Sequence, residues 1–226
     1  MNPARIPSSL YDSVRRDLRP VRPLATPARR ALALLPLGLA LLVGFPELWS
    51  LRHHVSLAPS AAWALSALET ATSLAVLAAC FREAVPGRQL GGRAIATLLI
   101  VSVAVFVLVN ATTRSPAGIS DVLLLRWFRE CITTALSGSV PALVVPAWLV
   151  ARALPRRPAL TGALCGLGTG LMADAGMRII CGDGDYVHVL AAHGGAILLL
   201  AGLGALSACV VEAVKARRSL ASRCAS

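Results

Sequence analysis

Six long apolar runs, each nearly free of charge, decide what this chain can fold into. A hydrocarbon core about 30 Å thick is crossed by about 20 helical residues. Runs of that order lie at roughly 31–49, 61–81, 94–110, 131–154, 159–180 and 187–214. They are continuous rather than alternating, which excludes the strands of a membrane barrel and requires backbone hydrogen bonds to close within helices. The expected fold is therefore an all-α integral membrane protein, a bundle of six transmembrane helices behind a short cytoplasmic N-terminal segment. Composition agrees: 56% hydrophobic against 15% charged residues is more apolar surface than one soluble core of 226 residues can bury. The first run begins only after thirty residues and lacks a small-x-small cleavage site, so it reads as an anchor and not a removed signal.

The basic residues set the expected topology. Seventeen of the 22 Lys and Arg fall in residues 1–30, in the second and fourth connections, or after Val214. The positive-inside rule then puts both termini in the cytoplasm and connections one, three and five outside. Aromatics are few and do not interleave with the arginines, so no direct contact with nucleic acid is expected. Residues 1–30 form a tail, 31–214 the membrane domain and 215–226 a second, basic cytoplasmic tail. In the first tail, Leu10, Val14 and Leu18 recur at steps of four between serine caps and Pro20, predicting one short amphipathic helix that also carries Arg15 and Arg19. Pro20, Pro23 and Pro27 predict an extended linker after it. The helix suits either anionic lipid or a cytosolic partner.

Four of the six cysteines (Cys80, Cys165, Cys209 and Cys224) lie in apolar runs or at the terminus and do not read as a disulfide framework. Cys131 and Cys181 differ. Each stands twenty-five residues from the turn near Arg156 that joins spans four and five, so both thiols fall at one height, on the outer side. Cys131, Ala135, Gly138 and Ala142 share one stripe; Gly162, Gly166 and Gly170 share another that continues to Asp174, Arg178 and Cys181. Matched faces at matched height point to a redox or metal-responsive pair, against the plainer reading of two apolar-interface cysteines.

All four histidines (His53, His54, His188 and His193) fall in the same outer half, and thiolate with imidazole suits zinc or copper. No CxxC or HExxH spacing is present. His188 and His193 are five apart, which splays their rings around a regular helix. Cys131, Cys181 and His193 are the first-choice ligands of a transient metal ion, with His188 a further candidate. Glu69, Asp174 and Arg178 are costly in lipid unless they pair or face inward, and Asp174 and Arg178 are spaced to pair within one helix. They would line the pathway if the protein were a small transporter or channel. A membrane thiol oxidoreductase is a further rival, weakened by the lack of a second reactive pair.

The stretch Asp17-Leu18-Arg19-Pro20-Val21-Arg22-Pro23-Leu24, the Cys131 span, Arg156-Arg157-Pro158-Ala159-Leu160-Thr161-Gly162-Ala163-Leu164 and the late Cys181 together resemble the NrsF family. Its members are six-span negative regulators of sigma-F-type extracytoplasmic function sigma factors in the bacterial inner membrane. The resemblance implies a non-enzymatic anti-sigma factor of the stress response. Its cytoplasmic tail would hold a sigma factor inactive, and a heavy-metal or oxidative signal would release it. The family's paired cysteines map onto Cys131 and Cys181.

Overall fold

Every regular element among the described residues is helical, as continuous apolar runs require. The computed structural model describes residues 12, 15, 24–53, 60–112, 121–153, 155–181 and 186–224. The elements are α1 (Pro27–Leu32), α2 (Leu35–His53), α3 (Ser60–Glu83), α4 (Gly92–Thr112), α5 (Asp121–Ala151) and α6 (Pro158–Ile180). A single turn, α7 (Tyr186–His188), leads through a π-helical segment (Val189–Gly194) into α8 (Gly195–Cys224). Six stretches of these helices are long and apolar enough to cross a bilayer.

The first span opens earlier than expected. Thr26 caps α1, its Oγ1 accepting the Arg29 N–H at 3.4 Å, and Pro27 takes the first helical position, where a missing N–H is harmless. Pro27 thus starts the helix and does not belong to an extended linker. Pro36, two residues into α2, has no N–H to offer the Leu32 carbonyl, so the helix tightens at Ala33 and Leu34 before resuming. There the Leu34 N–H bonds the Ala31 carbonyl at 2.9 Å. Further prolines lie inside helices at Pro46, Pro141 and Pro146, where neighbouring helices can re-satisfy the freed carbonyls.

The bundle is built around α6. Of its span, 89% is buried, against 17–50% of the others. Lipid is as apolar as leucine, so helices gain by packing closely through small residues rather than by escaping solvent. On α6, Gly162 faces Gly204 and Gly166 faces Leu200 of α8, at distances that leave no room for a Cβ. Gly176 meets the Leu41 backbone of α2 in the same way. Around the bundle, Ile100, Val144 and Leu198 are 68%, 63% and 71% exposed, a surface suited to acyl chains.

The end of the bundle from which the tail leaves is closed by polar contacts. Arg30 is 6% exposed, donates from Nη2 to the Leu149 carbonyl of α5 and places its guanidinium 4.4 Å over the Phe81 ring of α3. Glu83 is buried and accepts the Leu90 N–H on Oε1. Lys215 of α8 donates to the Ala151 carbonyl at 2.8 Å and pairs with Glu212 at 2.6 Å.

Replacing Gly166 by leucine would drive a side chain into the α8 backbone. A loss of about 1–3 kcal/mol, the usual cost of overpacking, is expected in thermal unfolding of the detergent-solubilised protein.

Candidate metal and thiol site

Cys131 sits in α5 and Cys181 caps the far end of α6, its N–H on the Met177 carbonyl at 2.9 Å. The Sγ atoms are 3.7 Å apart, a thiol hydrogen bond and not a disulfide. His188 brings Nε2 to 3.6 Å from Cys181 Sγ. With His193, the four residues each offer one donor atom, all within 4.8 Å of one another.

Both histidines reach the cluster because the helix between them is not an α-helix. Five α-helical steps would set the rings about 140° apart. The π-helical turn over Val189–Gly194 is wider and returns residue 193 to the side of residue 188, so the ring centroids lie 5.7 Å apart at 69°. The expected splaying is corrected by this one wide turn, and His188 joins the set as fully as His193. Gly194 and Gly195 follow at once, and their low helix propensity eases the departure from α geometry.

Asp174 orients the second imidazole. Its Oδ1 lies 2.5 Å from His193 Nδ1, with the two side chains 4% and 2% exposed. This bond occupies Nδ1 and leaves Nε2 as the nitrogen to present, the arrangement in which a carboxylate holds a metal-ligating histidine. Phe45, Phe128, Met177 and Ala192 wall the cluster with apolar surface.

The donor set suits a tetrahedral ion, and the two edges that meet at Cys181 Sγ have the spacing for one. Zinc bonds of about 2.3 Å to sulfur and 2.0 Å to nitrogen place S–S and S–N edges at about 3.5–3.8 Å. The observed Sγ–Sγ and Sγ–Nε2 distances of 3.7 and 3.6 Å fall there. The hydrogen bond from Cys131, aided by His188 and His193, outweighs burial and holds the Cys181 thiol far below its ordinary pKa.

Next to the cluster, Arg178 of α6 ties this end of the bundle together. It donates from Nη1 to the Val109 carbonyl of α4 at 3.1 Å, and from Nη2 to the Ala62 carbonyl and Ser66 Oγ of α3 at 3.1 and 2.7 Å. Its Nε is 3.6 Å from Glu69 Oε2, both side chains being at most 1% exposed. Asp174 and Arg178 both make pairs between segments: Asp174 with His193 on the approach to α8, and Arg178 with Glu69 of α3. Glu69, Asp174 and Arg178, the pathway residues of the transport reading, all take part in these buried contacts.

Among the tail residues, Arg15 is helical and exposed, whereas Leu10, Val14, Leu18 and Arg19 lie outside the described residues, as does His54. His53 ends α2. Sequence reasoning missed Asp174 as the partner of His193. The glycines after His193 were the available sign that the last span departs from regular helix at that point.

Six helices long and apolar enough to cross a membrane, with a buried thiol and imidazole cluster at one end, mark a multi-pass membrane protein. The chain belongs to the NrsF family, negative regulator of sigma F, whose family profile matches residues 15–211. It is thus an anti-sigma regulator, and the family describes a regulator rather than an enzyme. No curated protein and no solved structure matches the chain.

Asp174→Asn keeps the shape of the site but weakens the hold on His193. Cadmium affinity, measured by the ultraviolet thiolate-to-metal band, should fall about 10–100-fold. An ordinary cysteine, with its pKa near 9.0, gains about tenfold in alkylation rate per unit between pH 6 and 8. Because the Cys181 value is lowered, its thiolate is already formed there, and its rate in Cys131-containing protein should stay nearly flat.

Proposed function

We propose that this protein holds an extracytoplasmic function sigma factor inactive at the cytoplasmic face of a bacterial inner membrane and releases it when its outer cysteine pair receives a signal. The observation that carries the reading is the four-donor cluster of Cys131, Cys181, His188 and His193, together with the family's regulatory role. Seventeen of the 22 basic residues lie on the side assigned to the tail, which supports both termini being cytoplasmic and the cluster being periplasmic.

Two signals suit the cluster. A soft or borderline divalent ion would take two sulfurs and two nitrogens as ligands. A two-electron oxidant would accept two electrons as the two thiols lose two protons and form one S–S bond. The metal ion would draw α5, α6 and the approach to α8 together at one end, and the disulfide would draw α5 to the end of α6. The other end of α5 holds Arg30, at the root of the tail, through the Leu149 carbonyl. A shift of α5 therefore has a direct route to the segment that carries Leu10, Arg15 and Val14, the proposed docking surface along with Leu18 and Arg19.

Pull-down of candidate sigma factors from detergent extract tests the reading. The full chain should capture one of them, and cadmium should lower that capture about 5- to 150-fold, the usual range of coupling between sites. Cys131→Ser and Cys181→Ser should still capture it but resist release. Failure of every form to capture a sigma factor would remove the anti-sigma mechanism at this surface. Equal cadmium release from wild type and both variants would remove the cysteine pair as sensor.

A further inference from the structure

A second site lies at the opposite end of the bundle from the thiols. A cavity of about 650 Å³ opens beside α1, the end of α3 and the connection to α4. Ala28, Ala78 and Ala79 form its apolar wall, and Arg82, Arg88 and Gln89 stand at its polar side. The connection is pinned in place. Arg82 Nε donates to the Arg88 carbonyl at 3.1 Å, and the Leu90 N–H donates to Glu83. Gly87 makes the turn with φ at +80°, a conformation that favours glycine.

The chemistry of the lining is one-sided. Arg82 and Arg88 are exposed cations. The neighbouring acid, Glu83, is buried and turned to the Leu90 N–H. Gln89 Nε2 is buried and has no hydrogen-bond partner among the described residues. A buried amide donor is costly until an acceptor arrives. Two guanidinium groups and an unanswered N–H call for a ligand that brings anionic oxygens. The apolar wall beside them, drawn from the spans Pro27–Leu48 and Ser60–Glu83, calls for a hydrocarbon chain attached to those oxygens.

We infer that this cavity binds the headgroup of an anionic phospholipid, its phosphodiester held by Arg82, Arg88 and Gln89 and one acyl chain lying along the alanines. Basic pockets between helices at a membrane surface recognise lipids in this way. The site is independent of the thiol cluster and of the sigma-factor reading. It sits beside Pro27, so an occupied headgroup lies next to the root of the tail.

Native mass spectrometry of the full chain, extracted in mild detergent and offered phosphatidylglycerol or phosphatidylcholine, tests the assignment. Wild type should retain phosphatidylglycerol preferentially. Arg88→Gln, which leaves the Arg88 carbonyl in place for Arg82, should reduce that retention about fivefold, the weight of one arginine near a membrane surface. Gln89→Glu, which replaces the donor by a negative charge, should reduce it at least as much, and thermal unfolding of both variants without lipid checks that they remain folded. Equal retention of the two lipids, or folded variants that retain phosphatidylglycerol like wild type, would overturn the inference. Competition by glycerol phosphate as effective as by the lipid would assign the site to a free phosphate ester instead. Retention that rises in Asp12→Asn/Asp17→Asn would show the tail to be its occupant.

Discussion

Lipid gives two helices no hydrophobic reason to prefer each other over acyl chains, so a bundle in a bilayer must be held by contact that lipid cannot match. Here that contact is the approach of α6 to its neighbours through glycine. Gly162 and Gly166 admit the backbone of α8, and Gly176 admits that of α2. The same closeness lets Ser73 of α3 donate to the Gly168 carbonyl at 2.6 Å. Once α6 is fixed, so are the positions of Asp174, Arg178 and Cys181, which it carries in succession towards one end. The site therefore depends on contacts made along the whole length of one helix.

Charge inside the bundle is handled by pairing across helices. Arg178 donates to carbonyls on α3 and α4 and to Ser66 Oγ, and its charge lies beside Glu69, so one guanidinium meets four partners in a low dielectric. At the other end, Arg30 combines a carbonyl with the face of Phe81. Both residues act as brackets that hold α4 and α5, helices whose own glycine contacts with α6 are few. Breaking either bracket would leave a buried cation without compensation, which makes each a point of fixed geometry in an otherwise apolar interior.

Much of this was legible in the sequence, and the part that was not has a physical reason. Hydropathy alone gives the number of spans, because lipid imposes one length on every crossing. Equal distances from the turn near Arg156 give the shared height of Cys131 and Cys181, since a helical hairpin keeps its register. The start of the first span was misplaced because Pro27 serves equally in a linker and at a helix N1 position, and only the Thr26 cap decides between them. His193 and Glu69, the partners that Asp174 and Arg178 find on other segments, are ones that spacing within one helix cannot reveal. His188 and His193 were set apart by an assumption of 3.6 residues per turn that fails over six residues.

That wide turn gives the last span one residue more than a straight helix needs to cover the same height. Hydropathy is blind to the surplus, because a span of this length crosses the bilayer with or without it. A relative that loses a single residue between 189 and 194 would keep six spans, its topology and the glycine contacts of α6. Its two histidines would then stand four residues apart, about 40° around a regular helix, and would still share one face. A four-residue spacing in a straight helix and a five-residue spacing across a wide turn are thus two ways of setting both imidazoles on one side of the last span.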